Sequence, residues 1–144
     1  MARFVLTRRS QLPPARCWER LTDWPRHGER VPFTRVGVAR GTGREVGDVV
    51  LARTAFGPLR FDDPMEVVEF VAPGPGRDGL CRLAKRGRPV RGGAVLRVRA
   101  VGGGCEAVWA EELLITGLPR FADPVVASVG RLVFGRVLDR LLRP

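Results

Sequence analysis

The chain has 144 residues, 44% of them hydrophobic, so it can bury a core, and its composition excludes an intrinsically disordered protein. Its formal net charge of +10 is carried by 24 arginines and one lysine. The arginines are spread evenly and not gathered into a patch or tail, which argues against a nucleic-acid-binding surface. Arginine, glycine and proline all have GC-rich codons, so genome composition is an alternative source of the charge. We expect a single domain over residues 1–144.

The cysteines and the glycine-rich segment give no sign of a metal or cofactor. Cys17, Cys81 and Cys105 are odd in number and far apart, which is typical of reduced thiols in a cytosolic protein. Together with a single histidine they leave a zinc site short of ligands. The segment Gly41–Gly47 joins two predicted strands with no helix after it, unlike a dinucleotide-binding loop. The first residues have too short an apolar run for a signal peptide, so we expect a cytoplasmic protein.

The N-terminal region predicts one strand and one or two short helices. Arg3–Ser10 is the first strand, and the two prolines that follow end it and open a helix over Ala15–Thr22. This helix ends before Pro25, because the residue preceding a proline avoids the helical conformation. A connector with room for one more helical turn leads to Pro32.

Between residues 33 and 116 the apolar residues alternate with a period of two, which predicts six strands. Glycine- and proline-containing turns separate them. The short connections favour antiparallel neighbours. The predicted strands are Phe33–Arg40, Asp48–Phe56, Leu59–Ala72, Leu80–Arg86, Val90–Val101 and Cys105–Thr116.

The last segment, Asp123–Arg143, predicts a helix about 28 Å long at about 1.5 Å per residue. Asp123 and Pro124 suit its first positions, and its arginines argue against a membrane span. Gly130 and Gly135 either keep the helix thin beside a cavity or allow close packing against a bulky strand residue. The apolar residues at helical spacing, expected to be buried, are Val125, Val129, Leu132, Val133, Val137, Leu138, Leu141 and Leu142.

This order of elements predicts an α+β fold. A curved seven-stranded antiparallel β-sheet would wrap around the long C-terminal α-helix, with one or two short helices after strand 1. A large sheet around one helix commonly leaves an interior space, and small-molecule pockets tend to lie in such places.

Four short motifs carry a family resemblance. They are Pro14-x-x-x-Trp18-x-x-Leu21-x-Asp23-Trp24-Pro25, Val46-Gly47-Asp48, Pro64-Met65-Glu66-Val67-Val68 and Gly103-Gly104-x-x-Ala107-Val108-Trp109-x-Glu111-Glu112-Leu113. With the element order, they resemble the START-related, birch-pollen-allergen-like helix-grip superfamily (SRPBCC), in its bacterial polyketide cyclase/dehydrase/lipid-transport branch. The resemblance implies a hydrophobic cavity between the sheet and the long helix. Members include polyketide aromatase/cyclases and lipid or quinone carriers, so the fold alone does not assign an activity.

The last hairpin suggests which polar residues face the cavity. A two-residue turn at Gly103-Gly104 would pair Leu96 with Glu111 and Val98 with Trp109. Trp109 and Glu111 would then point inward, whereas a shift of one residue would turn Glu112 inward instead. Alternation along Val49, Leu51, Arg53 and Ala55 places Arg53 among apolar neighbours, where it would pair with Glu111. Such a pair would orient a ligand or transfer protons, or it would be purely structural.

The remaining candidates are mostly apolar. His27, the only histidine, is a candidate general base or a solvated loop residue. Catalytic candidates are therefore Arg53, Glu111 and His27. The expected ligand-binding residues are Trp24, Phe33, Arg53, Met65, Val98, Trp109, Glu111 and Phe134.

Three functions compete. The chain has no tyrosine, whereas cyclases of the resembling family place phenolic side chains along the cavity, so we favour a carrier or sensor of a small hydrophobic ligand such as a lipid, quinone or polyketide. The alternative is a polyketide cyclase/aromatase-like enzyme using the same cavity. The third is a basic module that binds nucleic acid, the ribosome or an anionic membrane. The sequence does not determine the oligomeric state.

Overall fold

A computed structural model describes residues 1–144 as a seven-stranded antiparallel sheet packed against helices. The predicted α+β fold, with its long C-terminal helix and a pair of short helices after the first strand, is confirmed. The strands are β1 (Ala2–Ser10), β2 (Thr34–Arg40), β3 (Val49–Phe56), β4 (Leu59–Val71), β5 (Gly79–Lys85), β6 (Val90–Val101) and β7 (Gly104–Ile115). The helices are α1 (Pro14–Leu21), α2 (Trp24–His27) and α3 (Asp123–Leu141), with a 3-10 turn at Arg120–Ala122.

The strands follow the order β1-β7-β6-β5-β4-β3-β2, and every neighbouring pair is antiparallel. From β2 to β7 each strand pairs with the next one in sequence, because the connections between them are short. β1 is separated from β2 by α1 and α2, and it completes the other edge of the sheet by pairing with β7. No helix of the structure has both the length and the apolar character needed to cross a membrane.

The segment Gly41–Gly47 is folded around the carboxylate of Asp48. Oδ2 of Asp48 accepts hydrogen bonds from the backbone N–H groups of Thr42 and Gly43 (2.9 Å each) and of Glu45 (3.2 Å). The indole N–H of Trp24 donates to the carbonyl of Gly43 at 2.9 Å. Asp48 therefore holds this loop, and the loop in turn fixes the side chain of Trp24.

Helix α3 packs mainly along β1, and it does so at close range. A Cβ atom on Gly130 would lie 2.5 Å from Cε1 of Phe4, so only glycine fits there without a shift of the ring. A Cβ atom on Gly135 would lie 3.2 Å from Nη2 of Arg8. Of the two alternatives for these glycines, the structure supports close packing against strand residues.

The expected buried stripe of α3 is wrong in its N-terminal half. Val137, Leu138 and Leu141 are buried as expected, but Val125, Val129 and Leu132 are exposed, Leu132 to 57%. The helix is rotated so that Ala127 and Gly130 face the sheet. Alanine and glycine stand out little in a pattern of apolar residues, although their small size is what permits the close approach of helix and sheet.

Candidate functional site

The concave face of the sheet lines a cavity of about 220 Å³. Of its 21 lining residues, 15 are hydrophobic. They come from all six strands from β2 to β7, from α2, from Val31 and from Phe134 on α3. A concave, mainly apolar space with a few polar groups is the usual form of a small-molecule site.

Three charged side chains meet at the wall of this cavity. Nζ of Lys85 lies 2.7 Å from Oδ2 of Asp63 and 3.4 Å from Oε1 of Glu111. The indole N–H of Trp109 donates to Oε2 of Glu111 at 2.7 Å. The side chains of Lys85 and Glu111 are each only 3% exposed. We call Asp63, Lys85 and Glu111 the charged cluster.

The charged cluster depends on the strand order. Lys85 lies on β5 and Glu111 on β7, so β6 runs between them and the two backbones are about 9.6 Å apart at the usual strand spacing. On this face β6 contributes Ala94, which pairs with Glu111 in the sheet register and lines the cavity. Because the alanine side chain is short, the two long side chains reach each other over it.

Burial sets the protonation of the charged cluster. It raises the pKa of Glu111 and of Asp63 above their ordinary values, and the nearby Lys85 ammonium offsets part of each rise. For Lys85, burial alone would lower the pKa, but Glu111 and Asp63 outweigh it and raise the pKa above 10.5. Lys85 is therefore charged at neutral pH and is not a nucleophilic amine. No group of three or more His, Cys, Asp or Glu side chains is arranged to hold a metal ion.

His27 lies on the cavity wall between two tryptophans. Its ring centroid is 5.1 Å from that of Trp24 and 5.3 Å from that of Trp109. Nε2 lies 2.7 Å from the carbonyl oxygen of Leu21, which can only accept a hydrogen bond. Burial lowers the pKa of His27 to about 4, so the ring is neutral at pH 7 with its proton on Nε2. The solvated-loop alternative for His27 is therefore wrong.

The structure places five of the expected ligand-binding residues on the cavity wall, namely Trp24, Met65, Trp109, Glu111 and Phe134. Phe134 packs against Trp109 with 5.2 Å between ring centroids, and this contact brings α3 to the cavity. The predicted hairpin turn is shifted, since β6 and β7 pair Leu96 with Trp109. The turn lies one residue earlier, at Gly102-Gly103, and this changes the pairing register by two residues, so Trp109 and Glu111 still point inward.

Arg53 does not face the cavity, and the expected pair between Arg53 and Glu111 does not form. The Arg53 side chain is 69% exposed, and its Nε lies 3.3 Å from Oδ1 of Asp62 on the outer face of the sheet. In β3 the inward residues are Val50, Ala52 and Thr54, one position away from the expected set. The cause is the apolar run from Val49 to Ala52, which has apolar side chains on both faces and so does not define the register.

Two further expected residues lie outside the cavity wall. Phe33 is 62% exposed and packs against Phe56, with 4.6 Å between ring centroids. Val98 is fully buried in the core, but it pairs with Ala107, beyond the part of β6 that reaches the cavity.

Sequence reasoning missed Asp63 and Lys85. Both are set by strand alternation: Asp63 shares a face with Met65 and Val67, and Lys85 with Cys81 and Leu83. Lys85 is also the only lysine among 25 basic residues. A charged residue that alternates in phase with the buried apolar residues of its strand is the sequence signal that indicates both positions.

Comparisons with known proteins define the fold. No family model and no curated protein matches the sequence. Among solved structures, the protein CV1439 from Chromobacterium violaceum aligns over 100% of this chain and 99% of its own, with 14% identity and a TM-score of 0.68. The allergen Ara h 8.0201 aligns over 97% of both chains, with 13% identity and a TM-score of 0.64.

The polyketide_cyc-like protein Cgl2372 from Corynebacterium glutamicum aligns over 98% of this chain and 89% of its own, with 15% identity and a TM-score of 0.58. At such identities the likeness concerns the fold. Over nearly its whole length the chain has the helix-grip fold of Bet v 1-like (SRPBCC) proteins.

Proposed function

We propose that the protein binds a small hydrophobic ligand in the cavity on the concave face of its sheet. The observation that carries this proposal is an apolar cavity of about 220 Å³ with a few polar groups on its wall. Drug-sized ligands occupy pockets of about 300–1,000 Å³, so the ligand here is small. A lipid, quinone or polyketide would be held by one ring or one short chain.

Tryptophan fluorescence tests this proposal. Trp24 and Trp109 line the cavity, whereas Trp18 does not. An apolar ligand should quench or shift their emission, and calorimetry should show the negative heat-capacity change of buried apolar surface. Trp109→Phe should reduce the fluorescence change while calorimetric binding persists. If short-chain acids, alcohols, quinones and one- or two-ring aromatics all leave fluorescence and melting temperature unchanged, the proposal is wrong.

A cyclase/aromatase-like enzyme is the second candidate. Titratable groups with shifted pKa values in a cavity are a mark of active sites, and Asp63, Lys85, Glu111 and His27 form such a set. The experiment is incubation with a poly-β-ketone mimic. If the native protein forms a product and Glu111→Gln binds the mimic without forming it, the protein is an enzyme that uses Glu111. Binding without product would leave the carrier proposal standing.

The cysteines support the cytoplasmic location that we propose. Cys17, Cys81 and Cys105 are all buried free thiols. Burial raises the pKa of Cys81 to about 12, which keeps it in the unreactive thiol form. Free, buried thiols suit a reducing compartment.

A further inference from the structure

We infer, on the basis of the proposed binding function, that the cavity selects ligands carrying a hydrogen-bond donor, a hydroxyl or an ammonium group, and disfavours carboxylates. A basic protein with a lysine at its cavity wall suggests the opposite preference, for an anion. The hydrogen bonds of the wall decide between the two.

The lysine has no donor to offer a ligand. Its ammonium group has three N–H bonds, and three acceptors surround it. These are Oδ2 of Asp63 at 2.7 Å, Oε1 of Glu111 at 3.4 Å and Sδ of Met65 at 3.5 Å. An incoming carboxylate would have to displace one of the two buried carboxylates that already neutralise Lys85.

The other polar hydrogens of the wall are also engaged. The indole N–H of Trp24 donates to Gly43, and that of Trp109 donates to Glu111. The hydroxyl of Thr34 donates to the carbonyl of Pro32 at 3.0 Å, so the hydroxyl of Thr54 donates to Oγ1 of Thr34 at 2.9 Å. His27 uses its single proton on Leu21.

The unused capacity of the wall consists of acceptors. Oδ1 of Asp63 is a fully buried acceptor without a hydrogen-bond partner, and a ligand donor would reach it once the Asp63 side chain turns toward the cavity. Nδ1 of the neutral His27 ring keeps its lone pair. An unpaired buried acceptor is unfavourable, and a ligand donor would relieve it. With at least one of the two carboxylates ionised the charged cluster carries no net positive charge, so it does not favour a ligand carboxylate over an ammonium group.

A headgroup series on one apolar body tests the inference. The probes are 3-phenylpropan-1-ol, 3-phenylpropylamine, the methyl ether of the alcohol, 3-phenylpropionate and propylbenzene, each titrated into the whole protein by calorimetry at pH 7. The alcohol and the amine should bind about tenfold or more tightly than the ether, since a hydrogen bond to a charged group is worth at least that factor. The carboxylate should bind most weakly. Whichever of the alcohol and the amine binds more tightly identifies the preferred donor, and either result supports the inference.

Asp63→Asn gives a sharper test, because it should reverse the preference. In this variant the side-chain carbonyl would keep the bond from Lys85, and the amide NH₂ would take the position of the unpaired Oδ1. The ether should then bind to this variant as tightly as the alcohol or more tightly. Asp62→Asn is the matched control. Asp62 lies on the outer face beside Arg53, so the affinity of the alcohol relative to that of the ether should stay as in the native protein.

The outcomes separate this inference from the proposed function. If propylbenzene, the ether or the carboxylate binds as tightly as the alcohol and the amine, the cavity binds ligands but the inference is wrong. If none of the five probes binds, the inference is wrong, and the wider ligand panel given above then decides whether the proposed function fails as well. The native protein alone decides these cases, so the test does not depend on the folding of Asp63→Asn.

Discussion

Lys85 and Glu111 lie on strands that are not neighbours, yet Nζ of the one is 3.4 Å from Oε1 of the other. Removing two such charges from water costs several kcal/mol per ion, and the attraction between them repays this only in favourable geometry. Apolar side chains of similar size often stabilise a core as well or better. The charged cluster is therefore not explained by stability, which agrees with a role in ligand selection.

The first prediction tests whether the charged cluster serves the stability of the fold or the selection of a ligand. Lys85→Met should cost about 3–5 kcal/mol of unfolding free energy at pH 7, because it leaves two buried carboxylates without their counter-charge. The triple variant Lys85→Met, Asp63→Leu, Glu111→Leu should recover most of this loss, since no buried charge remains. Urea unfolding of the three proteins measures both changes. A triple variant as unstable as Lys85→Met would mean that the charged cluster is needed for folding.

The second prediction is a pH dependence caused by His27. Burial lowers its pKa from 6.5 to about 4 in the folded protein, so the unfolded chain takes up a proton first as the pH falls. The stability that neutral His27 contributes is complete above about pH 6.5 and is lost toward pH 4, at up to about 1.4 kcal/mol per pH unit. His27→Gln retains a donor for the Leu21 carbonyl but does not titrate. The difference in unfolding free energy between native protein and variant should therefore shrink by about 3 kcal/mol from pH 7 to pH 4.

The comparison with His27→Gln is essential because the carboxyl groups act in the opposite direction. The folded-state pKa values of Asp63 and Glu111 are raised, so their contribution to stability increases as the pH falls. They are present in both proteins and cancel in the difference. A difference that does not change between pH 7 and pH 5 would show that His27 is solvated or protonated in the folded state.

The sequence predicted the fold well because strand alternation and turn residues are local signals. Every strand boundary was within about two residues of its place, within the usual uncertainty of element ends. The inward direction of Trp109 and Glu111 survived a wrong pairing partner, because an error of two residues preserves the face. The error for Arg53 was one residue, and that reverses the face.

That the three side chains of the charged cluster meet could not be predicted in this way, for a different reason. A charged residue in a strand is normally placed on the solvent face, since burial without a partner is costly. Whether Lys85 has partners depends on which strands surround it and on the size of Ala94 between them, and both are properties of the assembled sheet. The free volume of the cavity is likewise set by how side chains pack, which no local pattern specifies.

The third prediction tests the corrected orientation of α3. Leu138 is fully buried, so Leu138→Ala should cost about 2–5 kcal/mol. Leu132, six residues earlier on the same helix, is exposed, and Leu132→Ala should change stability by less than about 0.5 kcal/mol. Both changes remove the same atoms from the same helix, so helix propensity cancels between them. Equal losses in urea unfolding would mean that the helix presents a different face to the sheet.

The fourth prediction concerns the close contact between α3 and β1. Gly130→Ala would gain about 1 kcal/mol of helix propensity, but its Cβ would lie 2.5 Å from Cε1 of Phe4, a buried ring stacked on Phe134. Overpacking of this kind costs about 1–3 kcal/mol, and the ring cannot move freely, so we expect a net loss of stability. Gly135→Ala is the matched control, because there the new Cβ would lie 3.2 Å from Nη2 of Arg8 and in ordinary contact with Leu6. The Arg8 guanidinium donates to Asp139 and Thr7 and would have to shift only slightly, so the helix propensity should prevail.

A double-mutant cycle assigns the loss to the ring. Phe4→Leu removes the atoms that Gly130→Ala would meet, so the alanine should cost at least about 1 kcal/mol less in the Phe4→Leu background than in the native one. Thermal unfolding of the four proteins gives the coupling energy. If Gly130→Ala and Gly135→Ala stabilise the protein equally, α3 does not approach Phe4 closely enough for a clash. The two glycines would then have to be explained by the cavity and not by close packing.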